Sequence, residues 1–408
     1  LCNYGNQEKC IEGVYNKQPN GYPFLMSSVF LFGGGEREAH YLTSFLSSLV
    51  IPISFLLGYL LFNKKIGIFS SMIFALIPVA IRWAPTATAG SVSILFMGLA
   101  MVLFLAYYKT ESYVILLGAF SALAYSVQIR PEGILFILTI VLSFFLLRKN
   151  FLKDLSKKKF LIIVFIFCTL LTPHALHLLT VRSESWGASG NKLGLEYAEK
   201  NLGVNGMFFF ENSKFPVAFS ILSIIGLYPF LKNWKKKSVL VLWFIFVLYL
   251  LFYAGSFDYG VDIRFSLNLY LPLVIFGGCG SFSIFKLMKK YFRKEWVPFS
   301  IMTLIIIISF VPFYNLVSTV GEKSWDARVP HDFVVSEIKN MDDDCWIFTH
   351  VPSAILVEGK NSLQAWYAQN PRIRDRIMKN ECVLFYEEYW CNSEPYKSGA
   401  CKYFHDNM

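Results

Sequence analysis

The sequence predicts a polytopic α-helical membrane protein with a small extracytoplasmic C-terminal α/β domain. Ten strongly apolar stretches run from Ala39 to Val317. Lysines and arginines gather at every second junction between these stretches, as expected when basic residues are retained on the cytoplasmic side of a bilayer. The residues after Val317 have instead the mixed polar and apolar composition of a soluble domain.

The composition excludes an ordinary soluble fold. Of the 408 residues, 55% are hydrophobic and 40 are phenylalanine, which fits helices that face lipid and one another. The net charge of +10 would suggest nucleic acid as a partner in a soluble protein. Because the cations lie mainly at the junctions between apolar stretches, we interpret them as topology signals that contact anionic lipid. The predicted partner is the lipid bilayer, and no nucleic acid is predicted.

The domain of residues 39–317 is predicted to hold about ten transmembrane helices, with 11 or more in the intact chain. Several are shorter than the roughly 20 residues that a straight crossing needs, so their bounds are approximate. The basic junctions, taken as cytoplasmic, are 63–65, Lys109, 148–159, 232–237 and 286–294. The predicted spans are 39–62, 66–82, 91–108, 112–129, 133–147, 160–180, 215–231, 238–254, 266–287 and 297–317.

Residues 1–38 precede the first span and are predicted to form an external loop and an interfacial helix. The apolar segment from Gly21 to Phe32 is too short to cross a bilayer, and it suits a helix that lies in the membrane surface. This assignment puts the start of the chain outside. A chain begun in the cytoplasm then needs another crossing before Leu1, or a signal peptide that has been removed.

Residues 318–408 are predicted to form the extracytoplasmic α/β domain. Short apolar runs at 346–348 and 383–386 are typical of buried strands, and the segment from Phe333 to Ile338 resembles the start of a helix. The loops between the spans that are poor in lysine, like this domain, are expected on the outer face of the plasma membrane.

Six of the eight cysteines fall on the predicted outer side, and we expect them to form disulfides in an oxidising compartment. Cys2 and Cys10 would close a short loop, whereas the four in the C-terminal domain allow three pairings. A zinc site is the alternative, but no CxxC motif or Cys/His pair has ligand spacing. We therefore predict no metal site and name no cofactor, and the sequence gives no support for a divalent metal. The disulfide candidates are Cys2, Cys10, Cys345, Cys382, Cys391 and Cys401.

Two outer junctions carry charged residues that are suited to an anionic substrate. Arg264 precedes the ninth span and follows Asp258 and Asp262. Arginine binds phosphate in a bidentate manner, so this segment is the better phosphate candidate, with an interfacial anchor as the alternative. The turn from Arg130 to Glu132 could contact phosphate or sugar, or could be a salt-bridged turn that fixes two helices. For Arg82 an interfacial anchor is favoured.

The segment from Asn16 to Gly33 resembles a family motif. It reads Asn-Lys-Gln-Pro-Asn-Gly-Tyr-Pro-Phe-Leu and continues to Leu31-Phe32-Gly33. In this order, with the Arg130 turn and the Arg264 segment, it is similar to the GT-C class of membrane glycosyltransferases. The resemblance is to family 39, which includes the protein O-mannosyltransferases and the lipid A aminoarabinose transferase. In that family, the apolar segment is an interfacial helix.

The resemblance implies transfer of a hexose or pentose from a polyprenyl-phosphate donor to an acceptor hydroxyl on a protein or on a lipid or glycan. The reaction would take place on the extracytoplasmic face. In the family an acidic base lies upstream of the proline-tyrosine segment, so we expect the base before Leu1 and name no catalytic residue. The residues implied for donor phosphate are Arg264, Arg130 and Lys17; those implied for substrate are Glu132, Asp258, Asp262 and Tyr22.

A transporter or flippase for a polyprenyl-linked or small polar substrate is the alternative function. Such proteins contain inverted repeats and paired broken helices near the middle of the membrane. The sequence has no evident internal symmetry of this kind. The glycosyltransferase interpretation is therefore preferred.

Overall fold

The computed structural model of the chain describes residues 20–86, 89–130, 133–147, 156–181, 194–201, 203, 209–210, 215–231, 243, 245, 267–315, 317–318, 332–342, 344–350, 352, 355, 359–369, 371–377, 379, 382–387, 391 and 397–407. They fall into two compact units, one spanning Lys17–Thr319 and the other including Val320–Met408. We call them the helical unit and the sheet unit.

The helical unit consists of apolar helices at the positions where the sequence predicts membrane spans. Because a helix pairs its backbone groups internally, it is one of the few structures that hydrocarbon tolerates. The helices are α1 (Gly21–Leu31), α2 (Glu36–Ser48), α3 (Val50–Leu61), α4 (Lys64–Ala75), α5 (Pro78–Trp83), α6 (Ala89–Thr110), α7 (Tyr113–Ile129), α8 (Ile134–Leu147), α9 (Lys157–Val181), α10 (Val217–Leu231), α11 (Leu267–Lys289) and α12 (Trp296–Phe310).

Five helices among the described residues are long and apolar enough to cross a membrane. They cover Arg37–Leu61, Ala89–Thr110, Lys158–Leu176, Leu269–Lys289 and Trp296–Phe313. The predicted interfacial helix is present as α1. The predicted span 238–254 lies outside the described residues, apart from two positions.

The predicted span 66–82 is two helices rather than one. Ile77 separates α4 from α5 and has an extended backbone, with φ −77° and ψ 113°. The residue before a proline avoids the helical region, because the proline ring would collide with it, and Pro78 follows directly. A proline is well tolerated at the first position of α5, where its missing N–H needs no partner. Pro78 therefore ends one helix and begins the next.

Helices α10 and α11 cross with their backbones in direct contact. A Cβ atom on Gly226 would overlap the carbonyl oxygen of Phe276, and one on Gly280 would overlap the carbonyl oxygen of Leu222. Only glycine fits at such a crossing, as is common between membrane helices, where small residues let the helices approach each other. The two glycines therefore set how closely α10 and α11 approach each other.

A small charged cluster joins three helices at one end of the unit. Glu295, directly before α12, forms an ion pair with Lys65 near the start of α4. It also lies 3.5 Å from the ammonium of Lys289 at the end of α11. The Lys65 ammonium lies 4.7 Å from the centre of the Phe285 ring. All three charged side chains are partly exposed, so the cluster is a surface contact.

The sheet unit contains three parallel strands, β1 (Trp346–Thr349), β2 (Asn361–Gln364) and β3 (Val383–Phe385), in the order β2-β1-β3. Strands β1 and β3 lie at the two predicted positions. Both faces of β1 are covered: Phe348 packs in one apolar cluster with Phe404, and Ile347 in another with Ile338. Parallel sheets are normally covered on both faces in this way. Residues 332–339, Pro371–Ile377 and Lys402–Asn407 are helical.

Two disulfides cross-link the sheet unit, and they settle the pairing that the sequence left open. Cys345 pairs with Cys382, and Cys391 pairs with Cys401. Cys345 and Cys382 directly precede β1 and β3, where the register aligns Trp346 with Val383. The Cys2 and Cys10 candidates lie outside the described residues. Among the described cysteines, Cys168 and Cys279 are not part of a disulfide.

Candidate functional site

The first turn of α1 is fixed against the last turn of α7. Gly21 is buried, and a Cβ atom there would lie 2.6 Å from the carbonyl carbon and oxygen of Gln128. The Tyr125 hydroxyl donates a 2.9 Å hydrogen bond to the Gly21 carbonyl oxygen. Glycine at position 21 thus allows two backbones to touch. This contact places the predicted interfacial helix beside the Arg130 turn, since α7 ends at Ile129.

Tyr22, a predicted substrate residue, is half-buried and lies in the same contact region. Its hydroxyl forms a 2.8 Å hydrogen bond with the Thr43 hydroxyl of α2. The Thr43 hydroxyl also donates to the carbonyl oxygen of Ala39, one turn earlier in α2. Tyr22 therefore ties α1 to α2, and its immediate role in the structure is to position the interfacial helix.

Arg130 directly follows α7 and is almost fully buried, with 7% of its surface exposed. Its backbone N–H donates to Ser126, which closes the last turn of α7, and its carbonyl accepts from Gly133. The residue therefore belongs to a tight turn between α7 and α8, as predicted. A guanidinium in such a place interacts strongly with an anion, because the surroundings screen charge poorly.

Four helix ends lie on the same side of the helix packing as Arg130. Helices α3 and α4 are joined at the opposite end by a two-residue turn, as are α6 and α7, so the start of α2, the end of α5, the start of α6 and the end of α7 share one end of the packing. We call this the Arg130 end. His40 of α2 donates from Nδ1 to the Pro85 carbonyl oxygen at 2.6 Å, and Ser91 of α6 donates to the Trp83 carbonyl oxygen at 3.1 Å.

A second arginine, Arg82, lies in the last turn of α5 at the Arg130 end. Its guanidinium carbon is 5.9 Å from the centre of the Trp83 ring, a separation that allows a cation–π contact. An arginine beside a tryptophan at a helix end is typical of a membrane-interface anchor. Arg82 and Arg130 thus place two guanidinium groups at this end of the packing, and α1 begins beside the Arg130 turn.

The apolar surface of α1 is exposed rather than packed. Phe24 is 72% exposed, Leu31 is 82% exposed and Phe32, directly after the helix, is 92% exposed. Side chains of this kind are stable when they enter lipid. The Arg130 end thus combines an exposed apolar surface with a buried arginine, a combination whose chemistry suits a lipid phosphate.

Several predicted site residues lie outside the described residues. They are Lys17, Glu132, Asp258, Asp262 and Arg264. The structure therefore brings together Tyr22 and Arg130 from the predicted set, and the other members stay predictions.

Some residues of the site were not predicted from the sequence. Thr43 ties α2 to α1 through Tyr22, and His40 ties α2 to the carbonyl oxygen of Pro85, just after α5. Gln128 of α7 donates to the Leu170 carbonyl oxygen of α9 at 2.6 Å. Polar residues inside apolar helices are the available signal, because they are costly in hydrocarbon unless they are paired. That signal identifies candidates but does not name their partners.

Comparison with known families gives a match over the first part of the chain. Residues 17–177 match the family described as dolichyl-phosphate-mannose-protein mannosyltransferase. This region contains α1 to α8 and most of α9, and so includes the Arg130 end. No curated protein is significantly similar in sequence to the chain.

Solved structures with a similar fold cover most of the chain. ArnT from Cupriavidus metallidurans, bound to undecaprenyl phosphate, matches with a TM-score of 0.58 and 12% identity, over 91% of this chain and 80% of ArnT. The oligosaccharyltransferase AglB from Archaeoglobus fulgidus, in complex with an inhibitory peptide and a dolichol-phosphate, matches with a TM-score of 0.56 and 10% identity, over 90% of this chain.

The chain spans 60% of that AglB structure. The apo form of the Archaeoglobus fulgidus oligosaccharyltransferase gives a TM-score of 0.57 and 12% identity, over 90% of this chain and 61% of the other. At these identities the structural likeness concerns the fold. The sequence match and the shared fold agree with each other, and they confirm that this chain resembles the GT-C membrane glycosyltransferases.

Proposed function

We propose that the chain is a membrane glycosyltransferase that takes its sugar from a polyprenyl-phosphate donor. The acceptor would be a hydroxyl of a protein, or of a lipid or glycan, on the extracytoplasmic face of the plasma membrane. The family match over residues 17–177 and the fold shared with ArnT support the reaction class. ArnT was solved with undecaprenyl phosphate, and one AglB structure with a peptide and a dolichol-phosphate, which supports a lipid-linked donor and a protein acceptor.

The observation that carries the proposal is the contact between α1 and α7. It brings an exposed apolar helix next to the turn that contains a buried arginine. A polyprenyl phosphate has the matching chemistry, because its tail is apolar and its head is an anion. In this proposal the tail lies along Phe24 and Leu31, and the phosphate binds near Arg130.

A guanidinium suits the departing phosphate as well as the bound donor. Arginine donates hydrogen bonds in a fork that matches two phosphate oxygens. When the bond between sugar and phosphate breaks, negative charge grows on the phosphate, and a fixed cation stabilises that charge. Arg130 would act in this manner, with Arg264 as the leading candidate from the sequence for a second cation.

Donor binding can be tested with undecaprenyl phosphate and the neutral alcohol undecaprenol as paired probes on the full chain in detergent. We expect the phosphate to bind more tightly. Because Arg130→Gln removes one hydrogen-bonded charge, we expect it to weaken phosphate binding by about 10- to 100-fold. The affinity of Arg130→Lys should lie between those of the wild type and Arg130→Gln. Arg293→Gln is the control, because Arg293 is an exposed residue of the loop between α11 and α12.

Equal affinity for both probes in the wild-type protein would overturn the lipid-phosphate donor. Unchanged phosphate affinity in a folded Arg130→Gln variant would remove Arg130 from the site while leaving the donor class intact.

Sugar transfer can be tested in proteoliposomes that contain radiolabelled polyprenyl-phosphate sugars and membrane extract as acceptor. We expect label to move from the lipid to the acceptor, and Arg264→Ala to abolish this transfer while membrane insertion persists. Movement of the intact labelled lipid between leaflets, without transfer, would instead identify a flippase and overturn the proposal.

A further inference from the structure

A histidine and a cysteine pair converge inside the sheet unit. His350 directly follows β1, and its Nε2 lies 3.1 Å from the Sγ of Cys401 and 3.8 Å from the Sγ of Cys391. All three residues are buried, and their ligand atoms lie within 4.8 Å of one another. These residues are far apart in sequence, and their spacing matches no metal-binding motif.

We propose that His350, Cys391 and Cys401 form a binding site for a thiophilic divalent cation such as Zn²⁺ when the Cys391–Cys401 disulfide is reduced. The site is separate from the proposed glycosyl transfer, and none of its residues belongs to the Arg130 end. Two thiolates and one imidazole are a ligand set that zinc prefers.

The distances from His350 Nε2 to the two sulfurs suit a tetrahedrally coordinated cation. With bonds of about 2.3 Å to sulfur and about 2.0 Å to nitrogen, ligand atoms in a tetrahedral site lie about 3.6 Å apart. The two nitrogen–sulfur distances, 3.1 and 3.8 Å, fall on either side of this value. The Nε2 atom already lies within 3.8 Å of both sulfurs. The proposal requires that rotation of the two cysteine side chains after reduction separates the sulfurs and leaves space for the cation.

Reduction of the Cys391–Cys401 disulfide precedes metal binding. A dithiol or phosphine reductant supplies two electrons, the sulfur–sulfur bond breaks, and two protons give the free thiols of Cys391 and Cys401. Both thiols lose their protons when the cation binds, because the thiolate is the metal ligand. The neutral imidazole of His350 supplies the third ligand, and water completes the tetrahedron.

The other disulfide of the sheet unit provides an internal contrast. Within the part of the chain that the structure describes, no third metal ligand converges on Cys345 and Cys382, and the His350 group is the one cluster of three such residues. We therefore predict that, after both disulfides are reduced, the cation binds at Cys391 and Cys401 and not at Cys345 and Cys382.

The test uses the full chain in detergent with Co²⁺ as the probe, because cobalt bound to thiolate has characteristic absorption bands. We expect the protein reduced with a phosphine to bind Co²⁺ with these bands, and the oxidised protein to lack them. The double variant Cys391→Ser/Cys401→Ser should lose the bands. The matched control Cys345→Ser/Cys382→Ser should keep them, because the phosphine opens that disulfide in the wild type as well. Hydrogen exchange of β1 and β3 verifies that the sheet unit is folded in each protein.

A further variant separates a metal site from adventitious thiol binding. His350→Gln keeps both cysteines and a polar side chain, and it should weaken Co²⁺ binding at least about tenfold. The proposal is overturned if the reduced wild type binds no more Co²⁺ than Cys391→Ser/Cys401→Ser, or if His350→Gln binds it with wild-type affinity. Thiol counting after reduction verifies that the disulfide has opened.

Discussion

The helical unit and the sheet unit of this protein are each stabilised internally, by different kinds of contact. The helical unit relies on close backbone contact, as at Gly226 and Gly280, whereas the sheet unit carries two disulfides around a three-stranded sheet. Between helices in lipid there is little hydrophobic driving force, so association depends on packing. A domain of about 90 residues in water buries a limited core, and cross-links then contribute much of its stability. The difference fits the prediction that lipid surrounds the helical unit and water surrounds the sheet unit.

The largest effect should come from removing the longer cross-link of the sheet unit. Cys345→Ser/Cys382→Ser opens a link between residues 37 positions apart, and chain entropy predicts a loss of about 4 kcal/mol. Cys391→Ser/Cys401→Ser, with a separation of 10, should cost about 3 kcal/mol. The measurement is hydrogen exchange of peptides from β1 and β3 in the full chain. Equal protection in wild type and both variants would contradict the role given to the disulfides.

The next effect tests backbone contact in the helical unit. Gly280→Ala adds a methyl group that overlaps the carbonyl of Leu222, and overpacking of this kind should cost about 1–3 kcal/mol. Gly118→Ala is the matched control, because its Cβ would meet only the Leu103 side chain at 3.4 Å. Unfolding in detergent mixtures of increasing denaturing strength measures the stability of both variants. If the two variants unfold at the same detergent composition, the α10–α11 crossing does not depend on glycine.

The smallest effect concerns the charged cluster at one end of the helical unit. Glu295→Gln removes the partner of Lys65 and Lys289 and leaves two like charges close together. Because all three groups are partly exposed, solvent screens the interaction, and we expect a loss below about 1 kcal/mol that salt reduces further. The same unfolding assay at low and high salt measures it. A loss of stability as large as that of Gly280→Ala would show that ion pairs contribute as much as packing to the stability of this unit.

Much of the helical unit could be predicted because its signals are local. The interfacial segment from Gly21 to Phe32 appears as α1, and the predicted span 112–129 appears as α7 at Tyr113–Ile129. A run of apolar residues needs no partner to become helical in lipid, since hydrogen bonds within the helix satisfy its backbone. The break at Pro78 is equally local, although the predicted span ran across it.

The site could be predicted only in part. The sequence identified Tyr22 and the Arg130 turn through charge and family resemblance. It did not reveal that Gly21 touches the backbone of α7, or that Thr43 is the partner of Tyr22. Likewise, the cysteines of the sheet unit allowed three pairings, and nothing in their spacing pointed to His350. Contacts between distant residues depend on how the elements pack, which local patterns do not encode.

The sequence by itself determined the apolar helices of this protein, the position of the short helix α1 and the clustering of its charges. These features follow from the free energy of moving each segment between water and lipid, which depends on composition alone. The tertiary structure decided which helix ends meet at Arg130, which cysteines pair, and that a histidine lies against one pair. Those outcomes depend on steric fit between surfaces far apart in the chain, at the close contacts that glycine permits and in the covered faces of a small parallel sheet.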